Sequence, residues 1–156
     1  MLYIIFKTIH LLAIIVWLGG MAFAHFFLRP AVTQLEPPVR LRLMRDVLQR
    51  FLNVVLVIVV LVLVSGLGMW GMVHSMAAKV GATPPTPVSW IVMAVLGVVM
   101  MAVFGHLRFA LLKRLSVAVI AQDWPAGAKA MNQIRQLVAF NLALGVVIVV
   151  MLKLPL

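Results

Sequence analysis

The chain has no cysteine among its 156 residues and only three acidic residues, Glu36, Asp46 and Asp123. The lack of cysteine excludes disulfides, thiolate metal sites, iron–sulfur clusters and cysteine nucleophiles. The acidic residues all fall in predicted loops, so we expect no carboxylate within the membrane to bind a hard cation or to relay protons. Metal chemistry would therefore depend on histidine, methionine or one of these loop carboxylates.

Apolar residues dominate the composition, with 65% hydrophobic residues and a mean hydropathy of +1.21, which is typical of membrane proteins. The 13 Lys and Arg residues give a formal net charge of +10. They lie in short segments between apolar runs, where the positive-inside rule and anionic lipid headgroups account for them. We therefore predict that the lipid bilayer, and not nucleic acid, is the partner of this basic chain.

Four apolar runs reach the roughly 20 residues that are needed to cross a bilayer as a helix. They lack the period-two alternation of membrane β-strands. The predicted fold class is all-α, a single integral membrane four-helix bundle with up-down-up-down topology that covers residues 1–156. The predicted helices cover about residues 2–28, 51–74, 89–114 and 133–152.

The distribution of basic residues predicts the orientation of this bundle. The connections between the first and second and between the third and fourth helices carry most of the Lys and Arg, whereas the middle connection has only Lys79. The positive-inside rule places these two connections in the cytoplasm and both termini outside, as in a multi-pass protein of a bacterial-type inner membrane. The segment from Val39 to Arg50 is predicted to be an amphipathic helix at the interface, ahead of the second membrane helix.

Four histidines mark candidate sites, because an ionisable residue inside a membrane is by default a functional-site hypothesis. His25 lies about 22 Å deeper than His10 along the first helix, at 1.5 Å per residue. His106 on the third helix falls near the level of His25, and His74 lies at the outer end of the second helix. The spacing thus predicts an outer pair, His10 with His74, and an inner pair, His25 with His106.

Haem b is the first cofactor hypothesis, because haem iron accepts axial histidines within a helical bundle. Trp17 and Gly20 would line the pocket, and Arg29, Arg50 and Arg108 would neutralise the propionates of an inner haem. One or two haems would be bound. The expected function is electron transfer by a membrane haem-dependent oxidoreductase, with a quinone, superoxide, a porphyrinogen or a redox partner protein as its partner.

Copper is the alternative hypothesis. Met69, Met72, His74 and Met76 form a Met-x-x-Met-x-His-x-Met pattern, and with His10 they would make an outward-facing entry site for Cu(I), a soft ion that suits thioethers and imidazole. Methionine is also a common apolar filler. A third alternative is a structural partner of another membrane protein, in which the histidines donate hydrogen bonds between helices. A homo-oligomer is compatible with each of these alternatives.

The first predicted helix contains the pattern Lys7-x-x-His10…Trp17-x-x-Gly20. Together with Arg50-Phe51 and Ser65-Gly66, this pattern resembles the copper-resistance D (CopD) superfamily. It is similar, more weakly, to the HemJ-type protoporphyrinogen oxidases, four-helix haem b proteins whose matching histidine contacts haem. The run from Leu18 to Phe23 departs from the HemJ pattern. The resemblance to CopD implies copper uptake or resistance, and the resemblance to HemJ implies that His10 ligates haem.

Overall fold

A computed structural model describes residues 1–83 and 86–152 of the chain. These residues form four helices, each with an apolar stretch long enough to cross a membrane, and no strand. The predicted all-α membrane four-helix bundle is confirmed, and the protein is a multi-pass membrane protein. Pro84, Pro85 and residues 153–156 lie outside the described residues. The helices are helix 1 (Leu2–Gln34), helix 2 (Pro37–Lys79), helix 3 (Val88–Ile120) and helix 4 (Trp124–Met151).

Helices 2 and 4 each pack against both of the other helices of the bundle. Helix 1 packs along helix 2 and also contacts helix 4, whereas helix 3 packs on helix 4 and its C-terminal part on helix 2. Helices 1 and 3 therefore face each other across the bundle. Trp17 and Phe104 meet there edge to face with ring centroids 6.2 Å apart, and each is only 3% exposed. This aromatic pair closes the centre of the bundle.

Helix 2 is longer than the sequence predicted. It begins at Pro37, rather than near Phe51, and runs through 43 residues to Lys79. Proline is tolerated in the first turn because the N–H it lacks has no partner there. At 1.5 Å per residue the helix spans about 64 Å, roughly twice the hydrocarbon thickness of a bilayer. The predicted interfacial segment is thus the first part of helix 2, and its buried residues are Leu41, Met44 and Leu48.

Helix 4 also begins earlier than predicted, at Trp124 rather than near Gln133. The Asp123 side chain accepts a hydrogen bond from the Ala126 backbone N–H at 3.0 Å, which satisfies one of the free donors of the first turn. Helices 2, 3 and 4 therefore pack against one another beyond the membrane-spanning part of the bundle. We call the end formed by the 1–2 and 3–4 connections the basic end.

A π-helical turn interrupts helix 1 at Ala24–Leu28, and another interrupts helix 3 at Leu107–Leu111. The first lies directly before Pro30, whose missing N–H would otherwise bond the carbonyl four residues earlier. The wider turn accommodates this loss, so helix 1 passes the proline instead of ending there as predicted. His25 lies inside the first π turn, and His106 lies directly before the second.

The amide side chain of Asn141 is buried deep in the bundle. Asn141 is 1% exposed, and its Nδ2 lies 3.8 Å from the Met21 sulfur. Its Oδ1 has no hydrogen-bond partner among the described residues. A buried acceptor without a partner lowers stability, because it loses its hydrogen bonds to water and gains none.

We predict that Asn141→Leu raises the free energy of unfolding by about 1–3 kcal/mol, since it removes this unpaired oxygen at nearly constant volume. The thermal unfolding midpoint of the detergent-purified protein measures the effect. Asn53→Leu is the contrasting variant, because Asn53 Oδ1 accepts a 2.7 Å hydrogen bond from Arg108 Nη2, and its midpoint is expected to fall. A lower midpoint for Asn141→Leu would contradict the prediction.

Candidate functional site

His10 on helix 1 is joined to Ser65 on helix 2 by a hydrogen bond of 3.0 Å between Nδ1 and Oγ. Ser65 is 2% exposed, and its hydroxyl donates to the Leu61 carbonyl at 2.5 Å. A hydroxyl has one hydrogen, so Oγ can only accept from the imidazole, and Nδ1 carries the proton. The second ring nitrogen, Nε2, is then an unprotonated lone-pair donor, which is the form that binds metals.

Glycines allow helices 1 and 2 to approach closely around this hydrogen bond. A Cβ at Gly66 would lie 3.5 Å from His10 Cε1. One at Gly68 would lie 2.8 Å from a ring atom of Phe6. These contacts define the antiparallel register of the two helices. Phe6 precedes His10 along helix 1, whereas its partner Gly68 follows Gly66 along helix 2. Ser65 and Gly66 therefore orient the His10 ring and give it room.

Three methionines extend from Ser65 towards the end of helix 2. Met69, Met72 and Met76 follow it at four, seven and eleven residues, the spacing that keeps side chains on one helix face. We call this set the methionine stripe. Met69 and Met72 are half-buried, whereas Met76 is 65% exposed. The face of helix 2 that contacts His10 through Ser65 thus also carries three thioethers, and the last of them, on Met76, is exposed to the surroundings.

His74 lies on another face of helix 2. It lies two positions after Met72, which is about 200° of rotation. Its ring stacks on Trp70 with centroids 5.0 Å apart, and Nδ1 lies 3.0 Å from the Trp70 carbonyl oxygen. Because a carbonyl only accepts, Nδ1 is the donor in this contact. The structure therefore separates His74 from the methionines with which the sequence grouped it.

The predicted inner histidine pair is not brought together by any hydrogen bond of the described residues. His25 is half-buried and packs edge to face on Phe26, with centroids 4.9 Å apart. His106 is exposed. The two residues belong to helices that face each other across the bundle, with the Trp17–Phe104 pair at its centre. Ligation by His25 and His106 stays a prediction.

Trp17 and Gly20, which were predicted to line a haem pocket, pack against side chains of neighbouring helices. A Cβ at Gly20 would lie 2.8 Å from Phe51 Cζ, and Phe6 packs on Gly68 in the same way. Trp17 packs on Phe104. The residues present therefore form close helix contacts at the positions proposed for a haem slot, and they give haem b no support.

The three arginines proposed for haem propionates lie in different surroundings. Arg108 donates to Asn53 and lies over the Phe109 ring, with its guanidinium carbon 5.7 Å from the centroid. Arg50 is exposed. Arg29 lines a cavity at the basic end. Their role at haem propionates stays a prediction.

Histidine and carboxylate side chains do not form a metal site by themselves in the part of the chain that the structure describes. No group of three or more His, Cys, Asp or Glu residues there is placed to hold a metal ion. Methionine adds another type of ligand, because its thioether binds soft ions such as Cu(I). The combination of one imidazole with several thioethers is thus the candidate ligand set among the described residues.

Comparison with known proteins gives one family. The family model described as Copper resistance protein D, CopD, matches residues 45–154, more than two thirds of the chain. The chain belongs to the CopD family. This confirms the resemblance seen in the sequence, and the matched range contains Ser65 and the methionine stripe, whereas His10 precedes it. No curated protein and no solved structure matches the chain.

The family is one of copper-resistance membrane proteins, so the match favours the copper alternative over haem. Ser65 is the site residue that the sequence analysis did not assign a role. It was noted only as a small residue of a Ser-Gly pair. One feature of the sequence could have indicated its role. Ser65 lies on the same helix face as the three methionines, where its hydroxyl can accept a hydrogen bond from an imidazole of a neighbouring helix.

Proposed function

We propose that this CopD family protein binds Cu(I) as cargo inside the membrane and takes part in moving it across the bilayer. The ligands are His10 Nε2 and the sulfurs of Met69 and Met72. The observation that carries this proposal is the His10–Ser65 hydrogen bond, which leaves Nε2 unprotonated beside the face that carries the methionine stripe.

The donor set suits Cu(I) in a low-dielectric environment. Thioether and neutral imidazole are soft or borderline ligands that need no deprotonation, and none of them adds a charge to the membrane interior. A carboxylate or thiolate would add a charge, and charges at this depth are costly. Ser65 supplies the outer hydrogen bond that fixes the tautomer and orientation of a metal-binding histidine.

The arrangement of the stripe supplies a path as well as a site. Met76 is exposed at the end of helix 2, and Met72 and Met69 follow towards His10. Each turn of helix advances about 5.4 Å, so a bound ion would exchange one thioether for the next over short steps. In this proposal Met76 receives copper and His10 holds it at the deepest position of the set.

The double variant Met69→Leu/Met72→Leu tests the stripe. We expect its Cu(I) affinity to fall by about 10–100-fold, because two sulfurs are replaced by apolar groups of similar volume. Titration of the detergent-purified protein against a chromophoric Cu(I) chelator measures it. Met101→Leu on helix 3 is the matched control, a half-buried methionine outside the stripe, and should bind like the unmodified protein. Equal affinities for all three proteins would contradict the stripe as a ligand set.

Haem b is the second candidate, because the same Nε2 of His10 is the atom that would ligate iron. The double methionine variant separates the two functions. Under the haem hypothesis its haem content stays unchanged, and a reduced-minus-oxidised spectrum shows it. Under the copper proposal Cu(I) binding is weakened in the same variant.

A further inference from the structure

A cavity of about 240 Å³ lies at the basic end of the bundle, opposite to the end that carries the methionine stripe. The end of helix 1, the first part of helix 2 and helix 4 form its walls. Its polar lining residues are Arg29, Thr33, Arg40, Asn132 and Arg135. Three guanidinium groups from three different helices therefore line one space.

These arginines differ from the basic residues that only mark topology. Arg29, Arg40 and Arg135 are half-buried, whereas Arg114 and Arg50 project from the surface. An arginine at a membrane interface normally keeps its charged group in water. Three partly buried arginines around one cavity favour a common ligand over three separate solvated charges.

No acidic residue lines the cavity. Asp46 pairs with Arg45 at 2.7 Å, and the Asp123 side chain caps helix 4. Among residues 1–83 and 86–152, none of the three cavity arginines forms an ion pair or a side-chain hydrogen bond. Three like charges without a counter-charge repel one another, so a bound anion would stabilise this arrangement.

Phosphate is the anion that this lining suits best. Guanidinium groups bind phosphate oxygens through paired N–H donors, and a hydroxyl and an amide add neutral donors. The remaining walls are apolar and include Val32 and Met44. An apolar wall beside a cluster of arginines fits a phosphate ester whose organic part lies along the protein.

We propose that the cavity binds a phosphate-bearing anion. It has two potential sources, the headgroup of an anionic phospholipid of the adjacent leaflet and a free phosphate compound. The positive-inside rule places the basic end in the cytoplasm, where both are present. This site is independent of copper binding, because it lies at the other end of the bundle and shares no residue with the stripe.

Native mass spectrometry of the detergent-purified protein tests the lipid source, with phosphatidylglycerol and phosphatidylcholine as probes. We expect preferential retention of phosphatidylglycerol, and about 10–100-fold weaker binding in Arg135→Gln and in Arg29→Gln, the loss expected for a charged hydrogen bond. Arg114→Gln is the control and should retain the lipid, since it removes one positive charge outside the cavity.

Inorganic phosphate tests the other source through the thermal unfolding midpoint. Stabilisation of the unmodified protein, absent in Arg135→Gln, with no preference for phosphatidylglycerol, would assign the site to a free phosphate compound. Without any anion we expect Arg135→Gln to raise the midpoint, because it relieves repulsion, and this also shows that the variant folds. The proposal is overturned if neither probe binds, or if Arg114→Gln loses as much binding as the cavity variants.

Discussion

Replacing His10 by alanine is expected to lower the Cu(I) affinity of the purified protein by at least about a hundredfold, the largest effect of any single substitution considered. The imidazole supplies the nitrogen ligand whose free lone pair is fixed by Ser65. The remaining thioethers are weaker donors on one helix face. Competition with a chromophoric Cu(I) chelator, with copper counted per chain, measures the loss.

Ser65→Ala sharpens the test, because it removes the hydrogen bond and leaves the imidazole in place. We expect Cu(I) affinity to fall by about 10–100-fold, the usual consequence of losing an outer-shell partner of a metal-binding histidine. Ser116→Ala, at a half-buried serine of helix 3, is the matched control and should have no effect. An unchanged affinity in both His10→Ala and Ser65→Ala would contradict the assigned site.

The second large effect is expected in the packing of helices 1 and 2. Gly20→Ala should lower the free energy of unfolding by about 1–3 kcal/mol, the usual range for overpacking. A Cβ at this position would lie 2.8 Å from Phe51 Cζ, and the partly buried ring packs against the hydrophobic core of the bundle. Thermal unfolding of the detergent-purified variant measures the change.

Gly19→Ala is the control for this prediction. It lies one residue earlier in the same helix, and a Cβ there would meet no atom within 4 Å. Alanine is favoured over glycine in a helix by about 0.8–1 kcal/mol, so its stability should be unchanged or higher. Gly20→Ala/Phe51→Leu should recover part of the loss. Equal stabilities for the two single variants would show that the ring does not constrain this position.

Hydropathy predicted the membrane bundle because the length of an apolar run is a local property that the bilayer imposes directly. It did not predict the helical parts beyond the membrane. Residues 37–50 are polar enough to look like a connection, yet Leu41 and Leu48 are buried in the hydrophobic core. The start of helix 4 could have been predicted from the sequence, since an aspartate followed by Trp-Pro is typical of a capped first turn.

The site could be predicted in parts. His10 and the Ser65-Gly66 pair were each noted, but their contact depends on the register of two antiparallel helices, which hydropathy does not contain. The separation of His74 from Met72 followed from helical rotation alone, about 200° for two residues. Counting residues along the helices predicted the depth of each histidine but not the residues of neighbouring helices that it contacts.

The cavity arginines show a different limit. In the sequence, Arg40 and Arg135 contributed only to the predicted orientation of the bundle, because the positive-inside rule accounts for basic residues in cytoplasmic connections. Their convergence with Arg29 depends on where helices 1, 2 and 4 meet beyond the membrane. That meeting depends on the long extension of helix 2, which the sequence analysis placed in a separate segment.

The most direct test of the central claim is copper K-edge X-ray absorption of the Cu(I)-loaded protein, compared between the unmodified chain and His10→Ala. The account predicts one copper per chain with a mixed shell of sulfur and nitrogen neighbours, and loss of the nitrogen contribution and of most copper in the variant. A protein that retains no Cu(I), or whose spectrum and copper content are the same without His10, would contradict it.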